Sequence, residues 1–306
     1  MAVARLRYGL LGLAALALAA GTAQAADPVR VGSKIDTEGS LLGNIILQVL
    51  EKHGVKTVNK IQLGNTQVVR GAILAGELDI YPEYTGNGAF FFNDEKDKAW
   101  KNAAAGYDKV KSLDAQKNQL VWLTPAPANN TWTIAVRSDV AKKNNLVSLA
   151  DLSGYLHKGG DFKLAASAEF IERSDALPAF EKSYGFKLTQ DQLLSLAGGD
   201  TAVTIKAAAQ QTSGVNAAMA YGTDGPLAAL GLETLSDPKG VQPIYAPTPV
   251  VRAAVLKQYP DIGRWLQPVF TSLDSKTLQQ LNAQIAVEGA DASSVAASWL
   301  QQKKLL

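Results

Sequence analysis

Cysteine is absent from all 306 residues. That excludes disulfides, a thiol nucleophile, cysteine-ligated metals and a lipidated N-terminal cysteine. Histidine occurs twice, as His53 and His157. The first is predicted to end a helix and the second to lie in a polar loop, so a Ser-His-Asp triad has no well-placed base. Neither sign of charge dominates, with 30 Lys plus Arg against 28 Asp plus Glu. Phosphate recognition needs a basic face, so nucleic acid is excluded as a partner. Long apolar runs are missing too, except at positions 10–20. Arg5 and Arg7 precede that run and Ala23-Gln24-Ala25 follows it. This is the layout of a secretory signal peptide cleaved after Ala25, and it predicts a periplasmic location. Without disulfides, the roughly 280 residues that follow are held together by their cores, and they suffice for two domains.

Short β-like runs alternate with helical patterns. Strands are predicted at 29–32, 57–63 and 78–81, with helices at 40–52 and 66–75 between them. In the first helix Leu41, Leu42, Ile45, Ile46, Val49 and Leu50 share one face, and Gly54 stops it. The β-α-β-α-β order implies a parallel or mixed sheet covered by helices. A helix at 99–113 and a strand at 120–123 follow. The proline-punctuated segment 125–130 then crosses to a second β/α series, with strands at 132–136, 163–166 and 216–221. The proline-rich stretch 242–251 returns the chain, and the last fifty or so residues read as helices. A discontinuous first domain (26–130 plus 245–306) and a continuous second one (131–244) follow from the two crossings, with a hinged cleft between them.

Enzyme signatures are missing: no HExxH, GxSxG or P-loop occurs. Gly198-Gly199-Asp200-Thr201 lacks the ending of a phosphate cradle and reads as a helix cap. Asp79 and Glu83 are the carboxylates a periplasmic enzyme would use as base, which is the weakest reading. The most informative stretch runs from Gly76 to Gly88. It places Tyr81, Pro82, Glu83 and Tyr84 at a strand end before the Gly86-Asn87-Gly88 turn. Tyr84, Trp132, Tyr221 and Tyr245 all fall at strand ends or crossings, where α/β clefts collect ligand-binding groups. Their π-faces suit a quaternary ammonium, which has no N–H to donate. Lys34 and Arg173 are candidates for a ligand carboxylate, with Glu169 four residues before Arg173 able to orient it. An amino acid ligand stays open as an alternative, because Asp36, Glu38 or Asp224 offers an acceptor for a primary ammonium. A receptor whose closed form signals to another membrane protein also stays open.

Four segments carry a family resemblance: Val31-Gly32-Ser33-Lys34, Leu63-Gly64-Asn65-Thr66, Asp79-Ile80-Tyr81-Pro82-Glu83-Tyr84-Thr85-Gly86 and Ala220-Tyr221-Gly222-Thr223-Asp224. With them the chain resembles the substrate-binding proteins of osmoprotectant ABC transporters of the glycine betaine/choline type. The resemblance implies an α/β, two-domain, type II periplasmic-binding-protein fold of the Venus-flytrap kind, with the ligand in the cleft. It implies binding and delivery in place of catalysis, no cofactor, and a monomer. Its partners would be a small zwitterion, a membrane permease and, through it, an ATPase, in uptake linked to osmotic stress. Carried over position by position, the cage is Tyr84, Trp132, Tyr221 and Tyr245. Lys34 and Arg173 clamp the carboxylate, Glu169 supports Arg173, and Asn130 stands beside the cage. The chain departs from the family pattern at Asp36-Thr37-Glu38-Gly39, where Phe-Thr-Glu-Gln is common. It departs again at Asn87, often threonine, and at Trp132, often tyrosine. These changes bear on ligand preference.

Overall fold

The computed structural model describes residues 27–306. The expected leader and its cleavage site lie outside the described residues. The elements in chain order begin with β1 (Val29–Lys34), α1 (Thr37–Lys52), β2 (Thr57–Gly64), α2 (Thr66–Leu74), β3 (Ile80–Tyr84), α3 (Asn87–Phe91), α4 (Ala103–Asn118) and β4 (Leu120–Trp122). After the first crossing come β5 (Trp132–Arg137), α5 (Ser138–Asn144), α6 (Leu149–His157), β6 (Leu164–Ser167), α7 (Ala168–Glu172), α8 (Leu177–Tyr184) and β7 (Leu193–Leu196). This series continues with α9 (Thr201–Ala209), β8 (Ala217–Tyr221), α10 (Pro226–Ala229) and β9 (Leu232–Thr234). The chain ends with β10 (Pro247–Arg252), α11 (Ala253–Gln258), α12 (Ile262–Thr271), α13 (Ser275–Ala286) and α14 (Ala292–Gln302).

Two five-stranded sheets result, ordered β2-β1-β3-β10-β4 and β7-β6-β8-β5-β9. In the first, β1, β2 and β3 run parallel and β10 is antiparallel to both of its neighbours. In the second, β6 runs parallel to β7 and β8, and β5 is antiparallel to β8 and β9. The two crossings run side by side: Asn130 N donates to Tyr245 O at 2.9 Å, and Ala126 N donates to Pro247 O at 2.8 Å. Both sheets therefore share a two-stranded connection, and the cleft opens beside it.

Helix α1 shows why the first half folds as it does. Asp36 caps it, accepting from Gly39 N at 2.6 Å. Its apolar stripe of Leu41, Leu42, Ile45, Ile46, Val49 and Leu50 is fully buried and joins residues of α13 and α14 in one core. Each such side chain contributes roughly 1.5–3 kcal/mol on burial. The helix begins three residues before the expected start because Asp36 supplies the cap. A second core, around Ile134, Leu164, Phe170 and Phe180, supports the other sheet and reaches the cleft through Trp132 and Tyr245.

Three local expectations change. The helix expected over 99–113 is broken at Asn102, whose side chain accepts from Ala105 N at 2.9 Å and starts α4 afresh. His157 ends α6 and sits in no loop; its Nδ1 lies 2.7 Å from Ser153 O, one turn back. The proline-rich return segment is a central strand, β10, although Pro249 lacks a ladder donor. The strand is tolerated because Pro249 lies opposite Pro82 of β3, a register in which neither needs the other's N–H. The carbonyl of Pro249 still accepts from Leu123 N at 2.9 Å.

Candidate functional site

The cleft closes over a cavity of only about 20 Å³ lined by Lys34, Asp36, Thr66, Tyr84, Asn87, Asn130, Trp132, Tyr221 and Tyr245. That is far below the roughly 300–1,000 Å³ of ligand pockets, so these walls are drawn together and must part to admit a small molecule. Every wall stands at an element end, in the turn beside one, or on a crossing. Lys34 and Asp36 flank the β1–α1 turn, Thr66 opens α2, and Tyr84 closes β3. Asn87 opens α3, Trp132 opens β5, Tyr221 closes β8, and Asn130 and Tyr245 lie on the paired crossings. Seven of the nine residues expected at the site are in this lining. A larger hollow elsewhere shares only Trp132 and Tyr221 with it and runs along the outer side of the crossings.

The aromatic rings form one cluster. Trp132 stacks near Tyr221 with centroids 6.3 Å apart and planes at 19°. It meets Tyr245 at 5.8 Å and 59°, and Phe170 edge-on at 5.7 Å. Tyr84 faces the same space, its hydroxyl donating to Glu38 Oε1 at 2.9 Å. Tyr245 is packed so closely that a side chain at Gly86 would meet it: a Cβ there would lie 2.8 Å from Tyr245 Cδ1 and 2.9 Å from Ile244 O. Burial drives the Tyr84, Tyr221 and Tyr245 hydroxyls well above the ordinary tyrosine range, so all three stay neutral. Trp132 Nε1, the Tyr245 hydroxyl and Asn130 Oδ1 are buried without a hydrogen-bond partner. Unpaired buried polar groups are costly, and those on a cavity wall are available to an occupant.

Around the rings lies a carboxylate-rich frame. Glu83 is wholly buried and accepts from Lys34 Nζ at 2.6 Å, Tyr81 Oη at 3.1 Å, Tyr84 N at 2.8 Å and Asn87 Nδ2 at 2.7 Å. Glu38 accepts from Tyr84 and from Asn130 Nδ2 on one oxygen, and from Asn282 Nδ2 at 2.8 Å on the other. Asp79 is committed to Arg30 and Arg252. Asp79 and Glu83 are thus saturated structural carboxylates, which leaves the base of an enzyme reading without a candidate among them. Burial carries Asp36 up to about 6, against the pull of Gly39 N and Lys34. Burial likewise carries Asp224 up to about 7, against hydrogen bonds from Tyr221 N and Thr201.

Arg173 and Glu169 stand just behind this lining. The Arg173 guanidinium donates to Asp175 twice, both at 2.7 Å, to Glu169 Oε1 at 2.9 Å and to Asn87 Oδ1 at 3.0 Å. It is sandwiched between Phe90, at 4.2 Å, and Trp132, at 4.5 Å. Most of its donors are already used. The other oxygen of Glu169 accepts weakly from Thr66 N at 3.4 Å, at the positive end of α2. Of the other two lining residues, Thr66 was not expected at the site and Asp36 was expected only as an ammonium acceptor under the amino acid alternative. Thr66 belonged to a recognised motif but reads as an ordinary first helical residue. Asp36 was visible as a carboxylate, and its cap geometry is what turns it to the cavity.

Two α/β lobes, joined by adjacent crossings and closing on one small aromatic cavity, define a type II periplasmic-binding-protein fold. Residues 27–302 match the family model described as the substrate binding domain of ABC-type glycine betaine transport systems. The chain belongs to this family. It is 81% identical over 280 residues to the glycine betaine-binding protein YehZ of Escherichia coli K12, covering 92% of each chain. The solved apo YehZ structure matches with a TM-score of 0.67 at 80% identity, over 92% of this chain and 100% of that one. A crystal structure of a glycine betaine/carnitine/choline ABC transporter matches with a TM-score of 0.70 at 21% identity, over 90% and 99% of the two chains, which shows the shared fold.

Proposed function

We propose that this protein binds glycine betaine or a related quaternary ammonium compound in the aromatic cavity and delivers it to the permease of an ABC importer. The observation that carries this reading is the convergence of Tyr84, Trp132, Tyr221 and Tyr245 on one buried space. A trimethylammonium group cannot donate an ordinary hydrogen bond, and in a dry cage its attraction to each ring is worth up to about 2 kcal/mol. The carboxylate end of the ligand goes to Lys34, Asn87 and the N–H of Thr66, with Asn130 at the border. Arg173 and Glu169 act from behind, holding Asn87 and Trp132 in place. Binding is the whole of the protein's task, with no chemical step.

The domains of this reading are 26–130 with 245–306, and 131–244. Interlobe contacts such as Thr37 to Asp200 and Asn87 to Arg173 support a closed form. A TM-score of 0.67 at 80% identity also supports two arrangements of the lobes, since local structure is preserved at that identity. Ligand shifts the balance toward closure, and the closed form docks on the permease, which engages the ATPase. The leader directs export to the periplasm and is removed after Ala25, and the mature protein acts as a monomer. Asp36 in the lining also suits the ammonium of an amino acid, so the test includes that class.

The test is isothermal titration of refolded protein lacking the leader with glycine betaine, choline and an amino acid mixture. Saturable betaine binding that Tyr84→Ala abolishes is the expected result. Heat from an amino acid with none from betaine or choline would overturn the quaternary ammonium reading while leaving the fold intact.

A further inference from the structure

We propose that Asp36 sets the choice between zwitterionic and purely cationic ligands in this cavity, with a carboxylate oxygen that opposes a ligand carboxylate and accepts from a ligand hydroxyl. The inference rests on the quaternary ammonium reading above and deepens it.

Asp36 cannot turn away from the cavity. It is the N-cap of α1, with Oδ1 held by Gly39 N at 2.6 Å. No other hydrogen bond reaches this carboxylate among the described residues, although the side chain is buried and lines the cavity. Its second oxygen is therefore a free acceptor in the wall, and the one that carries charge when ionised. The charged groups around it come from both lobes: Lys34 on β1, Glu38 on α1, Asp200 capping α9 and Asp224 after β8. The lone cation among these, Lys34, already shares its charge with Glu83 at 2.6 Å, although its remaining N–H donors still reach a ligand. Tyr84 and Tyr221 are neutral and offset nothing.

An ionised carboxylate only accepts hydrogen bonds, and two carboxylates sharing a buried site do not both ionise cheaply. Glycine betaine and choline carry the same trimethylammonium group and differ only at the polar end. The attraction of Asp36 for the shared cation cancels in their affinity ratio, so the ratio isolates the polar end. Ionised Asp36 opposes the carboxylate of betaine and accepts the hydroxyl of choline. Protonated Asp36 donates to the betaine carboxylate and loses its advantage for choline. Burial raises Asp36 to about 6, so the exchange falls in an accessible pH range. Above that point the preference for betaine over choline falls by up to about tenfold per pH unit.

The experiment is competition titration of betaine against choline on both sides of pH 6, with wild type, Asp36→Asn and Asp36→Ser. Asparagine and serine both cap helices, so α1 keeps its start while the charge is lost. A ligand too weak to saturate enters the ratio at its detection limit. We expect the wild-type preference for betaine to grow roughly tenfold or more on the acid side. Both variants should show the higher betaine preference at either pH. A wild-type ratio that is flat with pH, or a pH dependence that persists in both variants, overturns the proposal alone. Binding of neither ligand by wild type at either pH overturns the quaternary ammonium reading and this proposal with it.

Discussion

Arg173 of the second lobe donates to Asn87 Oδ1 of the first at 3.0 Å, and the other end of the same amide donates to Glu83 Oε1 at 2.7 Å. One asparagine thus joins a buried ion pair in one lobe to a buried guanidinium in the other. Because Arg173 is also stacked on Trp132 and Phe90, cavity and interlobe contact are held by one side chain. Arg173→Ala should favour the open arrangement and weaken ligand binding by tenfold or more, since hydrogen bonds to charged groups are worth about 1.5–3 kcal/mol each. Small-angle scattering with saturating ligand checks this. A variant curve as compact as that of wild type would refute it.

The cage predicts graded losses. Removing one face by Tyr221→Ala should cost roughly 1–2 kcal/mol of binding, about five- to thirtyfold in Kd. Tyr221→Phe should cost much less, because the ring carries the attraction. Titration calorimetry compares the two, and equal losses would point to the hydroxyl instead.

Glu83 is wholly buried and accepts four hydrogen bonds. Glu83→Gln leaves Lys34 buried without its counter-charge, which typically costs about 3–5 kcal/mol. Urea denaturation should show the midpoint falling with an unchanged slope.

Asp224 gives the stability a pH dependence. Burial raises its folded value to about 7 from an ordinary 3.8. The folded form therefore holds the proton more tightly than the unfolded chain. Its contribution is complete below pH 3.8 and is lost as pH rises through about 7, with a slope of up to about 1.4 kcal/mol per unit. Thermal melts of Asp224→Asn across that window should be flatter than those of wild type.

Gly86 tests the packing of the cage. A Cβ there would approach the Tyr245 ring to 2.8 Å. Gly86→Ala should displace that ring at a cost of about 1–3 kcal/mol. Betaine affinity should suffer more than the melting temperature, and calorimetric titration beside a thermal melt separates the two.

The sequence by itself determined the elements and their order. The stripe of α1 is fixed by residues a few positions apart, and Gly54 marks its end, whereas the Asp36 cap moves its start three residues ahead of the expected one. The same local logic placed Tyr84, Trp132 and Tyr221 at strand ends and Tyr245 on a crossing, and seven expected site residues do line one cavity. What only the tertiary structure decided concerns partners far apart in the chain. Pro249 enters a central strand because Pro82 faces it from 167 positions away by number. Arg173 is spent on Asp175, Glu169 and Asn87 because folding brings Asn87 to it across the cleft. Asp36 lines the cavity because a cap bond fixes one oxygen and folding brings Trp132 and Tyr221 of the other lobe to the same space. Periodicity and capping act within a few residues, so they can be read along the chain. The commitment of a charged side chain depends on which distant groups folding brings within a few ångströms, and no local pattern encodes that.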